Sequence, residues 1–194
     1  MKNEKKPIKD FPPGWNTGHP VRREDLNQDR LRELEEGLKQ LGRVSPPKTL
    51  FIDMDGVLVD FQTGIDQLDE SIQSEYEGHL DDVPGIFGLM DPMPGALEAY
   101  ATLCEHFDTY ILSTAAWNNP TAWSDKLLWV QKHLGQHAHK RLILSHNKHL
   151  NRGHFLVDDR PNNGADRFKG KWVHFGSERF PNWEVVSDYL LGNK

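Results

Sequence analysis

The chain has 194 residues and a single cysteine, Cys104, so an intramolecular disulfide framework is excluded. No apolar run approaches the roughly 20 residues that a membrane-spanning helix requires, and no membrane partner is expected. The opening MKNEKKPIKDFPPGW carries lysines with no apolar stretch behind them, so no secretory signal is expected and a reducing cytoplasm is the expected location. Basic charge is also short. There are 23 Lys+Arg against 29 Asp+Glu, a formal net charge of −6. The imbalance is local: residues 1–48 hold 11 Lys+Arg and 8 Asp+Glu, leaving 12 and 21 for the rest. An acidic body lacks the broad basic face that a long nucleic acid needs. What is present is ordinary for a globular domain, with 37% hydrophobic and 27% charged residues in a length that suits one α/β domain with an appendage.

Composition changes near residue 48. Before it, the Pro-rich segments FPPGWNTGHP and VSPP flank a charged stretch in which Leu31, Leu34, Leu38 and Leu41 fall at helical spacing. Residues 1–48 therefore read as an arm with one amphipathic helix, whose stripe is too short to form a coiled coil by itself. A homodimer is left open.

From residue 49 strands alternate with helices. TLFID (49–53), TYILST (109–114), KRLILS (140–145), HFLVD (154–158) and KWVHF (171–175) have the continuous apolar character of buried parallel strands. Between them, Leu97, Tyr100, Ala101, Cys104 and Phe107 define one helix face, and NPTAWSDKLLWVQKHLG predicts a helix capped by Asn119, stopped at Gly135, with Trp123, Leu127, Val130 and Leu134 inward. The expected fold is a Rossmann-like, doubly wound parallel sheet of about five strands, with a small helical cap at about 62–93 inserted in the domain of residues 49–194.

Ligands of such sheets lie beyond the carboxyl ends of the strands. Those ends carry Asp53 and Asp55, then Ser113 and Thr114, then Lys148, then Asp158, Asp159 and Arg160. Four carboxylates crowded together need a cation, and an all-oxygen set suits Mg²⁺. The lysine and hydroxyls nearby point to phosphate as the remaining ligand.

DMDGV after an apolar strand, Ser/Thr after the second, an isolated lysine and VDDR after the fourth together resemble the haloacid dehalogenase superfamily of phosphatases. More narrowly, DMDGVLVDF, DKLLWVQKHLG and LVDDRPNNGA resemble the 5′(3′)-deoxyribonucleotidases, over residues 49 to about 190. The resemblance implies Asp53 as nucleophile and Asp55 as proton donor and acceptor whose carbonyl also binds metal. It implies Ser113, with Thr114, and Lys148 at the phosphoryl oxygens, and Lys126 near the phosphate. Asp158 and Asp159 would complete the metal site, one of them directly and the other through water or by holding Lys148. Phe61 matches an aromatic beside the nucleobase; independently of the resemblance, Arg160 is a candidate substrate contact and Ile86, Phe87, Leu89 and Met90 are candidates for an apolar lip over the site. A nucleoside monophosphate is the implied substrate. Two alternatives stay open: the same chemistry on a sugar phosphate or a nucleic-acid end, and a sensor of phosphorylated metabolites without turnover. The ten histidines follow no recognised zinc spacing.

Overall fold

The computed structural model describes residues 35–37 and 46–194. Glu35, Glu36 and Gly37 are helical, and all four leucines of the arm's expected stripe, Leu31, Leu34, Leu38 and Leu41, lie outside the described residues. Pro47–Lys194 form one compact unit, which holds the sheet and every candidate site residue.

In chain order the elements are β1 (Thr49–Ile52), β2 (Val59–Asp60), α1 (Phe61–Ile65), α2 (Glu70–Glu75), α3 (Ile86–Leu89) and β3 (Asp91–Pro92). There follow α4 (Ala96–Cys104), β4 (Asp108–Ser113), α5 (Ala122–His133), β5 (Leu142–Leu144), β6 (Phe155–Asp158), β7 (Lys171–His174) and α6 (Trp183–Leu191). Five strands form one sheet in the order β5-β4-β1-β6-β7. Every pairing in it is parallel, with Phe51 opposite Tyr110 on one side and Leu156 on the other. The doubly wound α/β fold is thus present with all five strands where the sequence places them. No helix among the described residues is long and apolar enough to cross a membrane.

Strand periodicity divides the core. Leu50 and Ile52 join the large cluster under α4 and α6, whereas Phe51, Leu112 and Leu156 belong to a smaller one with Ala165 and Phe168 on the opposite face. Burying this apolar surface on both faces is the main driving force for the sheet. The two long helices after the cap compare differently with expectation. In α4 the buried residues are Ala96, Ala99, Tyr100 and Leu103, one residue off the predicted stripe, of which Tyr100 is buried and Leu97, Ala101 and Cys104 are half-buried. In α5 they are Ala122, Lys126, Trp129 and Val130, while Trp123 and Leu127 are exposed. The rotation of α5 comes from the groups it delivers inward, a lysine and an indole N–H that both find partners there.

The segment between β2 and β3, which pair antiparallel, stands over the carboxyl end of the sheet. It consists of α1, α2, a 3-10 turn at Leu80–Asp82 and α3, more pieces than the one or two helices its length suggests. Gly78 and Gly85, at φ +83° and +88°, make the breaks. Ile86, Phe87 and Met90 pack inward, and only Leu89 of the expected lip faces solvent.

Candidate active site

β1 runs directly into the site. The Asp53 N–H donates to Val157 O at 2.8 Å, extending the β1–β6 pairing by one residue, and Asp53 is buried. Met54, fully buried, turns to the core, so Asp55 returns to the side of Asp53. Met54 O then accepts the N–H groups of Leu58 and Val59 at 2.8 and 2.9 Å, closing a tight loop. Gly56 is required in it, because φ is +72° and an added Cβ would collide with the Asp159 carboxylate. The loop is held from outside by the Trp183 indole, which donates to Val57 O at 2.9 Å.

Two buried lysines sort the carboxylates into pairs. Lys148, on the 3-10 turn Lys148–Leu150 after β5, donates to Asp158 Oδ2 at 2.5 Å and lies 2.9 Å from Asp53 Oδ1. Burial opposes its charge, yet Asp53 and Asp158 raise its pKa above the usual lysine value. Lys126, fully buried on α5, reaches Asp55 Oδ1 and Oδ2 at 2.7 and 2.5 Å and Ser113 Oγ at 3.1 Å, with the Phe87 ring 4.3 Å away. Arg160 Nε is 3.3 Å from Asp159 Oδ2, and the Arg160 N–H donates to Asp158 Oδ1 at 3.1 Å.

Burial raises the pKa of Asp55, Lys126 works against that, and Asp53 adds to it. Burial, then the charge of Asp53, pushes Asp158 up to about 7 against the pull of Lys148, and burial likewise raises Asp159. This is the electrostatic signature of carboxylates collected to share a cation.

The donor set fits a hard divalent cation. Carboxylate oxygens of Asp53, Asp158 and Asp159 lie within 4.8 Å of one another, and Asp159 Oδ1 is buried with no hydrogen-bond partner. Both Asp158 oxygens are engaged, by Lys148 and by the Arg160 N–H, so Asp159 has the oxygen to spare. The loop bearing them is held by β7. Trp172 Nε1 donates to Asp158 O at 3.0 Å and His174 Nε2 to Asp159 O at 2.9 Å, their rings stacked 4.7 Å apart. Sequence reading missed both residues, which act through backbone carbonyls and carry no spacing signal.

A cavity of about 560 Å³ opens over these groups, within the range of small-molecule sites. Asp53, Asp55, Lys148, Asp158, Asp159 and Arg160 line its floor, together with Thr114. The cap contributes Phe61, Leu80, Asp81 and Phe87. Of the two hydroxyls after β4, Thr114 therefore borders the cavity, while Ser113 is fully buried behind it against Lys126, as strand alternation requires. Lys126 is likewise behind the cavity, at Asp55, instead of in its wall. Trp117 is 82% exposed against His146 and lies outside the lining. Asn162 and Asn163 line the cavity unpredicted, Asn163 at φ 53°. Their position directly after VDDRP was the available signal.

A family model described as 5′ nucleotidase, deoxy (pyrimidine), cytosolic type C matches residues 75–185, a span that holds Ser113, Thr114, Lys126, Lys148 and Asp158–Arg160 but begins after Asp53 and Asp55. A candidate 5′(3′)-deoxyribonucleotidase of Vibrio phage KVP40 is 57% identical over 141 residues, covering 73% of this chain and 83% of the relative. One of Bordetella bronchiseptica is 32% identical over 151 residues, 64% of this chain and 80% of its own. Another, of Staphylococcus aureus, is 28% identical over 176 residues, 75% and 97%. With that span of the family model and a phage relative so similar over most of both chains, the chain belongs to the 5′ nucleotidase, deoxy (pyrimidine), cytosolic type C family, within the haloacid dehalogenase superfamily, and is a phosphatase.

Proposed function

We propose that the chain is a Mg²⁺-dependent 5′(3′)-deoxyribonucleotidase, acting in the cytoplasm on nucleoside monophosphates through a phosphoryl group carried on Asp53. The observation that supports it best is the separation of roles between two aspartates on one loop. Asp53 stands among the metal-type carboxylates with Lys148, whereas Asp55 has a lysine of its own. The relatives' names and the aromatic pair Phe61 and Phe87 in the cap wall, 6.1 Å apart, support a nucleotide as the substrate.

In the first step an Asp53 carboxylate oxygen attacks phosphorus in line. The phosphorus–ester oxygen bond breaks, and Asp55 delivers its proton to the departing oxygen. The raised pKa of Asp55 makes a protonated carboxyl available for this. In the second step Asp55, now ionised beside Lys126, takes a proton from water as the water oxygen attacks phosphorus. The bond to Asp53 then breaks, releasing inorganic phosphate. Lys148, Thr114 and Arg160 face the space where the phosphoryl oxygens sit and stabilise their charge. Asp53 and Asp159 would hold Mg²⁺ with the Asp55 carbonyl, and Asp158 would steady Lys148. When bound, the ion offsets the repulsion between carboxylate and phosphate dianion.

The cation site predicts a pH-dependent stabilisation. Without metal, folded Asp158 retains its proton up to about pH 7, whereas an unfolded carboxyl ionises near pH 4. The folded chain thus binds more protons across that window, and this group's contribution to stability falls as pH rises through it. Mg²⁺ held by Asp53 and Asp159 would favour the ionised form of the neighbouring Asp158, so the stabilisation on adding saturating Mg²⁺, read from Tm, should be small near pH 5.5 and large near pH 8, about 2–3 kcal/mol at roughly a hundredfold excess over Kd. Equal gains at both pH values would exclude the carboxylate site.

The functional test is phosphate release from deoxy- and ribonucleoside 5′ and 3′ monophosphates and from sugar phosphates, with Mg²⁺ or with EDTA. Turnover confined to Mg²⁺ and concentrated on deoxynucleotides is expected. Preference for sugar phosphates would move the substrate and keep the chemistry.

A further inference from the structure

The cavity has two kinds of wall. Core loops supply the phosphate end, and the cap supplies Leu80, Asp81 and Phe87, against which the rest of a substrate must lie. The cap wall is fixed by one short stretch between β4 and α5. Asn119 is fully buried, and its side-chain N–H groups donate to Asp81 O at 3.0 Å and Val83 O at 2.8 Å. Its Oδ1 accepts the Thr121 N–H at 3.0 Å, which settles the orientation of the amide. The Thr121 hydroxyl lies between Asn119 Oδ1 at 2.9 Å and Asp125 Oδ2 at 2.6 Å, and accepts the Gly85 N–H at 2.8 Å. Gly85 leads into α3, which carries Phe87. One turn beyond Lys126, the Trp129 indole donates to Met90 O at 2.8 Å, at the end of the same segment.

These bonds go to the backbone of residues 81–90 and do not use the Leu80, Asp81 and Phe87 side chains that line the cavity. They also come from the same piece of chain that brings Lys126 to Asp55. The distance from the cap wall to the proton-transferring aspartate is therefore set by hydrogen bonds that all start from one continuous stretch, residues 119–129. Nothing in this network touches the groups that face phosphate.

We propose that Asn119 and Thr121 are positioning residues for the organic part of the substrate, holding residues 81–87 at the spacing from Asp55 that admits a nucleoside. The proposal rests on the nucleotidase reading for the identity of that part. A purely structural role would cost stability and leave kinetics alone, so the test reads two ends of the site separately.

Wild type, Asn119→Ala and Thr121→Val are compared for KM and kcat on the nucleoside monophosphate that wild type prefers, for inhibition by inorganic phosphate, and for Tm. Thr121→Val keeps the side-chain volume and serves where the cavity left by Asn119→Ala impairs folding. Expected is a rise in KM of about tenfold with Ki for inorganic phosphate within about twofold of wild type, because only the cap wall moves. An unchanged KM with a lowered Tm overturns the proposal, and so does an equal rise in KM and in Ki. If wild type hydrolyses no nucleoside monophosphate, the nucleotidase reading fails. The same comparison on the phosphomonoester it does hydrolyse then decides the positioning role independently.

Discussion

Asp53→Asn should abolish turnover, lowering kcat by about a thousandfold or more, and should leave the chain at least as stable as wild type in EDTA near pH 8. The two halves have one cause. An amide cannot take up the phosphoryl group, so the first step is lost outright. Yet the wild-type loop packs Asp53, Asp158 and Asp159 together with a single buried lysine bridging two of them. Removing one negative charge relieves the others, and the pKa of Asp158, which Asp53 helps to raise, should fall back toward the carboxylate range. Lys148 keeps its partner in Asp158 at 2.5 Å, so no buried cation is stranded. Phosphate release and a thermal melt in EDTA on the same preparation check both halves. Residual activity above about 1% in a folded variant would remove Asp53 as nucleophile. A lowered Tm would show that the charge serves the fold as well.

How far the chain could be read depended on how regular each element's environment is. The five sheet strands were legible because parallel strands are buried on both faces and read as unbroken apolar runs, as in TLFI and FLVD. The positions of Asp53, Asp55, Lys148, Asp158 and Asp159 at one end came from topology alone. α5 was misread in its facing because amphipathic reasoning sends charge outward, whereas Lys126 goes in where Asp55 and Ser113 await it. Asn119 has the sequence context of an N-cap, yet Thr121 occupies the cap position of α5 and Asn119 bonds to the cap segment instead. The cap is built of pieces of four to six residues, with a 3-10 turn of three, too short for any period to show, and its breaks are set by left-handed glycines. The support that Trp172 and His174 give the Asp158–Asp159 loop runs through carbonyls, which no residue pattern encodes.

Lys126→Met is the second substitution expected to have a large effect, and it separates the two aspartates of the loop. Methionine matches much of the lysine's length and polarizable bulk, so α5 should still pack against Phe87 and the core. The substitution removes the cation bonded to both oxygens of the Asp55 carboxylate. Burial and Asp53 already raise the pKa of Asp55, and Lys126 is the largest influence holding it down. Without that lysine the pKa must rise further, since a carboxylate that loses an opposite charge becomes harder to ionise. The first step, which needs a protonated Asp55, should survive better than the second, which needs it ionised to accept a proton from water. Turnover should therefore fall by about a hundredfold, with phosphoryl-enzyme accumulating, and the ascending limb of the pH–kcat profile should move to higher pH. Stability should drop by about 2 kcal/mol near pH 8, where Asp55 must either ionise unpaired or take up a proton, and by less at pH 5, where protonation is cheap. A pH–rate profile, a quench experiment for protein-bound phosphate and melts at the two pH values measure all three. An unshifted limb with an equal loss in both steps would place Lys126 at the phosphate instead of at Asp55.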